Sequence, residues 1–303
     1  MLTEIPLGSV RDRVLLLRSL GSFSGLDDEG MTLVAEHARG RSFRAGETLL
    51  TEGRPLSHVY IVIDGQLTSE RLGQRVAVVT RSRGVGFLSM MARDEQGVTV
   101  VADVDTQTLE VPTEVLEHGL EENFSLVRNT LRNIAAALVK KRGNLPAPAD
   151  KPPPFSLGEF REREHTLVER ILDLRSGRGI FQDCNLDAVF AFARRIEEIR
   201  VEPGTVFWKI GEPSSFWLRL DHGRVRCRAA DGATVDVGHR YVLGIMDAVG
   251  QVERSYEARA ETLVIAYRNQ LETLLDVLEM HFDLARDFIA VLARALLETP
   301  DRA

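Results

Sequence analysis

The chain has 303 residues, of which 44% are hydrophobic and 27% charged, and its formal net charge is −7 at pH 7. This charge disfavours nonspecific nucleic-acid binding, which depends on clustered Lys and Arg. Two cysteines are too few for a disulfide framework. No apolar run approaches the roughly 20 residues of a membrane span. We therefore expect a cytoplasmic protein that is long enough to form two cores.

The first half of the chain changes from helical to strand-like patterns and back. Residues 27–38 have a helical pattern, and short β-branched runs separated by glycine follow it. An amphipathic helix is predicted over 124–141. Many short strands at this spacing predict a barrel or jelly roll. The clearest strand-like runs are His58–Ile63, Arg75–Thr80 and Thr99–Val104.

A proline-rich segment separates the two halves. Residues 145–154 read LPAPADKPPP, whose five prolines favour an extended spacer over a helix. Ser156 and Glu159 then form the S-x-x-E pattern of a capping box, which predicts a helix to about Asp173. We therefore predict a first domain over 1–144, a linker over 145–155 and a second domain over 156–303.

The second half repeats this order of elements. A helical pattern over 185–196 precedes the strand-like runs, and an amphipathic helix is predicted over 282–298. Phe216 and Trp217 are adjacent within one run, so their side chains should point to opposite faces of a sheet. One of the two is therefore a candidate for an exposed protein contact. The runs are Phe216–Leu220, Thr234–Gly238 and Thr262–Tyr267.

Residues of the two halves match at a constant spacing. Phe23 and Phe181 are 158 positions apart (181 − 23 = 158), and the same spacing relates the other pairs. Such a fixed spacing indicates a duplicated module. Most matched residues are Gly or Pro, which mark the course of the backbone. The first-half residues are Gly21, Phe23, Ala35, Gly46, Gly53, Pro55, Ser57, Gly65 and Gly86, and their partners are Gly179, Phe181, Ala193, Gly204, Gly211, Pro213, Ser215, Gly223 and Gly244.

A motif in each copy resembles the cyclic nucleotide-binding domain. The segment SFRAGETLLTEGRPLSHVYIVIDG has the family's order of an aromatic residue, a turn glycine, E-G-x-P and a V-Y-x-V run that ends on glycine. The second copy reads VEPGTVFWKIGEPSSFWLRLDHG. The resemblance implies an α+β, mainly β, protein of two jelly-roll (β-roll) domains, each flanked by helices. The motif residues are Phe43, Gly46, Glu52, Gly53, Pro55, Val59, Tyr60, Val62 and Gly65, then Gly204, Gly211, Glu212, Pro213 and Gly223.

The resemblance also locates the family's phosphate-binding cassette, in which G-E-L precedes R-A. The glutamate there accepts the hydrogen bond of the ribose 2′-hydroxyl, and the arginine fork with backbone N–H groups holds the phosphate. In the first copy, Phe87 follows Gly86 at the glutamate position, and Gln96 precedes Gly97 at the arginine position. Both charged residues are therefore missing. Arg93 lies three positions before Gln96. It is either a solvated loop residue, the interpretation that we favour because fork geometry is sensitive to position, or a displaced replacement for the missing arginine.

The second cassette leaves two alignments open. After Gly244, Ile245 replaces the glutamate, and at the spacing of 158 Arg254, followed by Ser255, stands at the arginine position. A spacing of 154, taken from Thr108 and Thr262 (262 − 108 = 154), instead makes Arg254 a surface residue. On either alignment we expect ordinary cAMP or cGMP binding to be lost in the first domain and weak or altered in the second. No bound cofactor is expected.

No catalytic or metal-binding motif is found. The seven histidines are not spaced as metal ligands, and neither a G-x-S-x-G elbow nor a P-loop occurs. An enzyme is therefore not expected. Only Thr299–Ala303 follow the last predicted helix, which leaves no room for a DNA-binding helix-turn-helix. The N-terminal segment also lacks the basic pair of a kinase-inhibitory sequence.

Three hypotheses about function follow. The first is a non-enzymatic signalling regulator or adaptor that acts through protein–protein contacts. The second is a sensor whose second domain binds a cyclic nucleotide or another anionic molecule through Arg254. The third is a self-assembling structural module, a homodimer through helices 124–141 and 282–298.

Overall fold

A computed structural model describes residues 9–20, 23, 26–94, 96–143, 145–146, 156–176, 180–182 and 184–299. The chain divides into two compact units, Met1–Thr130 and Leu131–Ala303. The predicted linker over 145–155 lies outside the described residues except for Leu145 and Pro146, so it stays a prediction. Gly21 and Gly179 also lie outside them. None of the helices in the described ranges combines the length and apolar character that a membrane span requires.

The first unit combines helices with short strands. The helices are α1 (Val10–Arg18), α2 (Asp28–His37), α3 (Phe87–Ala92), α4 (Thr113–Glu122) and α5 (Phe124–Arg142), of which α5 continues into the second unit. The strands are β1 (Arg39–Phe43), β2 (Thr48–Leu50), β3 (His58–Asp64), β4 (Gln66–Arg71), β5 (Gln74–Thr80), β6 (Gly84–Val85), β7 (Thr99–Ala102) and β8 (Thr106–Pro112).

The described strands of the first unit form two four-stranded antiparallel sheets, in the orders β1-β8-β3-β6 and β2-β7-β4-β5. One apolar cluster draws on both sheets and includes Tyr60 and Leu67. A second cluster joins the outer side of β3 and β8 to α1, α2 and α4, and includes Leu17 and Leu116. This is the predicted β-roll with helices packed on one side.

The second unit repeats the arrangement. Its helices are α6 (Leu167–Ser176), α7 (Leu186–Ala193), α8 (Ile245–Gly250), α9 (Leu271–Met280) and α10 (Phe282–Glu298). Its strands are β9 (Glu197–Val201), β10 (Val206–Trp208), β11 (Phe216–His222), β12 (Val225–Ala229), β13 (Thr234–Val237), β14 (Val242–Leu243), β15 (Tyr256–Ala260) and β16 (Val264–Gln270). The sheet orders among these residues, β14-β11-β16-β9 and β10-β15-β12-β13, match those of the first unit.

Equivalent hydrogen bonds settle the spacing of the repeat across the cassettes. The N–H of Gly53 donates to the carbonyl oxygen of Gln96 at 2.7 Å, and the N–H of Gly211 donates to that of Arg254 at 2.9 Å. The two donors are 158 positions apart, and so are the two acceptors (211 − 53 = 158; 254 − 96 = 158). Arg254 therefore occupies the position equivalent to Gln96, and the spacing of 154 is wrong.

The capping box that begins α6 lies ten residues downstream of the one predicted from Ser156 and Glu159 (166 − 156 = 10). Residues 156–166 contain no helix. The N–H of Thr166 donates to Oε2 of Glu169 at 2.8 Å, and the N–H of Glu169 donates to Oγ1 of Thr166 at 3.3 Å. The predicted start was wrong because a T-x-x-E sequence nearer the apolar face provides the reciprocal bonds.

Residues after the linker instead hydrogen-bond to the β-roll of the second unit. The carbonyl oxygen of Leu157 accepts from the N–H of Gly223 at 2.7 Å, and that of Ser156 accepts from His239 at 2.9 Å. These tertiary bonds hold the backbone of residues 156–158 in a non-helical course. A local sequence pattern does not contain this information.

Neither member of the Phe216–Trp217 pair is an exposed aromatic. The Trp217 ring stacks on Phe192 of α7 at a centroid distance of 6.0 Å, and Trp217 is 4% exposed. Phe216 faces the other side of β11 and contacts Trp208 at 5.7 Å. The two residues do point to opposite faces, but a helix covers one face and the roll interior encloses the other. The predicted protein contact at this pair is therefore wrong.

The apolar faces of the two long helices are buried within the single chain. The predicted face of α5 includes Leu131 and Leu138, and that of α10 includes Phe288 and Leu292; all four are at most 3% exposed. These side chains already contribute to the core of the second unit. A homodimer through helices 124–141 and 282–298 stays a prediction, and it would have to use other side chains of α5 and α10.

Candidate functional site

A cleft of about 220 Å³ lies in the second unit where the second cassette meets the end of α5. Three predicted ligand positions, Gly244, Ile245 and Ser255, line it. The structure thus brings these cassette residues together around one space. The other lining residues are Val139, Arg142, Gly143, Leu145, Pro146, Tyr241, Val242, Met246, Asp247 and Tyr256.

Both cassettes begin with the same backbone turn. Gly86 and Gly244 have φ values of 88° and 77°, in the left-handed region that glycine tolerates best. Each turns the chain from a two-residue strand into a six-residue helix, α3 or α8. The sequence motif therefore predicted the course of the backbone in both units correctly.

Arg254 is folded into the protein beneath the cleft. Its side chain is fully buried. Nη1 donates to the carbonyl oxygen of Gly244 at 3.0 Å, and Nη2 donates to the carbonyl oxygen of Phe216. The interpretation of Arg254 as a surface residue is therefore wrong. The guanidinium connects the start of the cassette to β11.

Two rings and a carboxylate complete the surroundings of Arg254. The guanidinium carbon lies 4.1 Å from the centroid of Trp208 and 5.2 Å from that of Phe216, both within range of a cation–π interaction. Nη1 also lies 3.5 Å from Oδ2 of Asp247. With its charge balanced and both terminal nitrogens bonded, Arg254 presents neither to a ligand. Only Nε lacks a hydrogen-bond partner among the described residues.

Asp247 puts a carboxyl group on the wall of the cleft. Burial raises the pKa of this group from 3.8 to about 6, and the attraction of Arg254 offsets only part of that effect. Burial also raises the pKa of Tyr241 to about 12, so its hydroxyl is neutral at pH 7. An anionic ligand would therefore meet a partly ionised acid and no unbalanced charge on Arg254. This arrangement disfavours a cyclic phosphate.

The raised pKa of Asp247 predicts a pH-dependent stability. Because the folded pKa of about 6 exceeds 3.8, protonation of Asp247 favours the folded state below pH 3.8, and this contribution is lost as the pH rises through 6. The loss amounts to about 2–3 kcal/mol. In the Asp247→Asn variant, we expect that the free energy of unfolding of the second unit no longer shows this decrease between pH 3.8 and pH 6. Urea unfolding at a series of pH values measures it.

Substitution of the exposed Asp187 on α7 is the control for that experiment, and Asp187→Asn should keep the wild-type pH profile. An unchanged profile in Asp247→Asn would show that another group causes the pH dependence.

The end of α5 and the residues after it form one wall of the cleft. Leu145 packs against the apolar core of the second roll, and Arg142 and Pro146 lie beside it along the opening. Gly250 at the end of α8 approaches α5 so closely that an added Cβ would lie 2.9 Å from the backbone nitrogen of Ala136. The cassette helix is thus held against α5 by a contact that leaves no space for a side chain.

The first cassette has no cation at its arginine position. Nε2 of Gln96 donates to Oε1 of Glu52 at 3.2 Å, and Oε1 of Gln96 accepts from Nη2 of Arg71 at 3.4 Å. Arg71 also forms an ion pair of 3.2 Å with Asp94. These contacts link the cassette to the E-G-x-P turn and the end of β4. The polar groups of this cassette therefore bond to one another.

The remaining predicted positions of the first cassette have different surroundings. Phe87 packs against the cluster between the helices and β3, and its ring has no oxygen to bond a ribose. Arg93 ends α3 in a left-handed conformation and is exposed. Gly97 follows Gln96 with φ 62°.

Sequence reasoning missed two features of the second site. Asp247 stands seven positions before Arg254 (254 − 247 = 7), and an acid inside the cassette helix was a usable signal for an internal partner. Arg142 and Leu145 gave no such signal, because they belong to a distant part of the chain. Only the tertiary structure places them at the cleft.

Residues 40–123, within the first unit, match the cyclic nucleotide-binding domain family. No curated protein matches the sequence significantly.

Several solved structures show a similar chain course. The regulatory subunit of a cAMP-independent protein kinase A from Trypanosoma brucei, a mutant bound to cAMP in its A site, is 16% identical over 92% of each chain, with a TM-score of 0.36. The corresponding subunit from Trypanosoma cruzi, bound to guanosine, is 16% identical over 93% of this chain and 91% of its own, with a TM-score of 0.36. A cyclic nucleotide-binding-like protein from Brucella abortus is 25% identical over 36% of this chain and 98% of its own, with a TM-score of 0.32.

Proposed function

We propose that this protein is a non-enzymatic cytoplasmic signalling regulator in which two cyclic nucleotide-binding-like rolls act through contacts with other proteins. One observation carries the proposal: Arg254, the cation at a cassette arginine position, is bonded to Gly244 and Phe216 and paired with Asp247. A roll that has used its arginine internally keeps the fold but loses the main recognition group for a phosphate.

Chemistry at the other cassette positions supports the same proposal. Phe87 and Ile245 replace the residue that would accept the ribose hydroxyl, and Gln96 replaces the first arginine. Burying a phosphate without a cation costs several kcal/mol. No cofactor is required in this proposal, and the absence of catalytic motifs in the sequence supports a role without catalysis.

The proposal predicts that neither cAMP nor cGMP binds the full chain. Isothermal titration with each nucleotide at millimolar concentration should give no saturable heat, because the first cassette has Gln96 at its arginine position and the second has Arg254 bonded inside the protein. A dissociation constant in the micromolar range for either nucleotide would contradict the proposal. Guanosine, which lacks a phosphate, is the matched control for any heat that comes from the base alone.

The cleft in the second unit favours a second candidate, a sensor for a small molecule. This space is lined by predicted ligand positions, and the neutral tyrosine Tyr241 offers a hydroxyl group. If the sensor binds its ligand through Arg254, a nucleotide or another anion should raise the melting temperature of the wild type. Arg254→Ala should then abolish this shift in melting temperature. Absence of a shift across a nucleotide panel would remove this candidate.

A further inference from the structure

The hairpin of β4 and β5 in the first unit presents an uncovered strand edge. Among the described residues β5 pairs only with β4, which in turn pairs with β7 on its other side. Residues Gln74–Ala77 are consecutively exposed, so both faces of this part of β5 project from the roll. The outward N–H and C=O groups of an edge strand are a template for another extended chain.

The duplicated unit shows what a protected edge looks like in this fold. The equivalent strand β13 has four residues, against seven in β5. Asp236 of β13, which forms an ion pair of 2.8 Å with Arg226, stands where β5 has Val78 (236 − 78 = 158). Short edge strands and charges on them prevent association. The edge strand of the first unit is longer, and Arg75 is its one charged residue.

The turn of the hairpin adds apolar surface beside this edge. Leu72 and Gly73 form its two-residue turn, with φ values of 52° and 72°. Leu72 is 74% exposed although the left-handed conformation suits Asn or Asp far better. The corresponding turn of the second unit has Asp231 and Gly232. Exposed Leu72 and Val76 thus lie next to the open backbone edge.

The charge around this edge is positive. Between Glu70 and Asp94 the sequence contains five arginines and no acid. Arg75, Arg81 and Arg83 are exposed and form no ion pair within the described residues. Glu70 lies opposite Arg75 in the sheet without such a pair. An extended partner with acidic side chains would provide the missing opposite charge.

We propose that the edge of β5 binds an extended, acidic segment of another protein, which adds a strand to the sheet β2-β7-β4-β5. Main-chain hydrogen bonds hold the added strand. Val76 and Leu72 contact its apolar side chains, and the arginines contact its acidic ones. The site deepens the proposed function by giving the protein contact a surface and a partner chemistry.

A second copy of the chain fits this edge less well. Antiparallel pairing of two β5 strands would bring together the Arg75 of each copy, together with the Arg81 and Arg83 that follow the end of the strand. β5 itself contains no acidic residue that could balance these charges. Like charges placed close together across strands are destabilising. The observations therefore favour a different, acidic chain.

The test uses the full chain and a short peptide of alternating glutamate and valine. N-methylation of every second residue leaves the peptide a single hydrogen-bonding edge, which prevents its own aggregation. We expect amide hydrogen exchange in residues 74–80 to slow by about tenfold or more when the peptide is present in excess. Val76→Asp should remove this protection. Its matched control, Thr234→Asp on β13 (234 − 76 = 158), should not.

Two further probes make the outcome decisive. A peptide with lysine in place of glutamate, or one methylated on both edges, should give no protection. No protection by the acidic peptide, or equal protection by either control peptide, would overturn the proposal. Dimers that form without peptide and that Val76→Asp dissociates would assign the edge to a second copy instead.

Val76 is 38% exposed, so the folded state should tolerate aspartate there. If Val76→Asp nevertheless unfolds, replacement of Arg75, Arg81 and Arg83 by glutamine should weaken peptide protection, most strongly at low salt. Cyclic nucleotide binding tests the proposed function separately, because it does not involve β5. Each proposal can therefore fail without the other.

Discussion

Replacing Arg254 by alanine should lower the free energy of unfolding of the second unit by about 3–5 kcal/mol, the range for breaking a buried ion pair from one side. The truncation leaves Asp247 buried beside an empty space, removes the donors to the carbonyl oxygens of Gly244 and Phe216, and takes the cation from under Trp208. Unfolding in guanidinium chloride, followed by tryptophan fluorescence, measures this change in the free energy of unfolding. Both tryptophans of the chain, Trp208 and Trp217, lie in the second unit.

The equivalent residue of the first unit is the matched control for Arg254→Ala. Gln96 is exposed, so Gln96→Ala should cost less than about 1 kcal/mol, measured by circular dichroism because the first unit lacks tryptophan. Arg254→Lys keeps the charge but cannot reach two carbonyl oxygens as a planar fork does, and should be intermediate. A loss below about 1 kcal/mol in Arg254→Ala would contradict a structural role.

Gly244→Ala should destabilise the second unit by about 2–4 kcal/mol. This cost is the sum of the backbone strain at residue 244 and the displacement of the Arg254 side chain. The glycine adopts a left-handed φ of 77°, which an alanine adopts at a cost of about 1–2 kcal/mol. An added Cβ would also clash with Nη1 of Arg254 and approach the ring of Trp208 at 3.2 Å. The guanidinium would therefore have to leave its bonded position. Thermal unfolding by circular dichroism, with tryptophan fluorescence, measures the loss.

The first cassette again provides the control. Gly86 has a φ of 88°, and the atom nearest to an added Cβ there would be Cδ1 of Leu56 at 3.3 Å, a side-chain end that can move. The carbonyl oxygen of His58 and Cδ1 of Leu50 would lie at an ordinary contact distance of 3.5 Å. Gly86→Ala should therefore show the backbone cost alone, about 1–2 kcal/mol. In the Arg254→Ala background, Gly244→Ala should cost less than in the wild type, since the clash is gone. Equal costs in both backgrounds would show that Gly244 does not position Arg254.

The two cassettes share one backbone course but differ in the contacts of their side chains. The left-handed glycine, the six-residue helix and the bond that closes the E-G-x-P turn are the same in both. In the first, Gln96 bonds to Glu52 and Arg71; in the second, Arg254 bonds inward.

Local pattern was sufficient for most of the fold. Glycines at turns, β-branched runs and a constant spacing depend on neighbours in the sequence. The turn glycines Gly86 and Gly244 were therefore predicted correctly, and the predicted runs His58–Ile63 and Phe216–Leu220 lie within β3 and β11. The capping box at Ser156 failed, because tertiary hydrogen bonds from Gly223 and His239 hold the backbone there in another conformation. A pattern of four residues cannot register bonds to a distant strand.

The sequence by itself predicted two β-rolls in one chain, with Phe87 and Ile245 at the positions where the family that it resembles has a glutamate. It did not determine the orientation of Arg254. That orientation depends on Asp247, Trp208 and Phe216, which meet only after β10, β11 and α8 have packed together. Only the tertiary structure decided that the arginine is a buried anchor, because the balance between burial and ion pairing depends on distances in space.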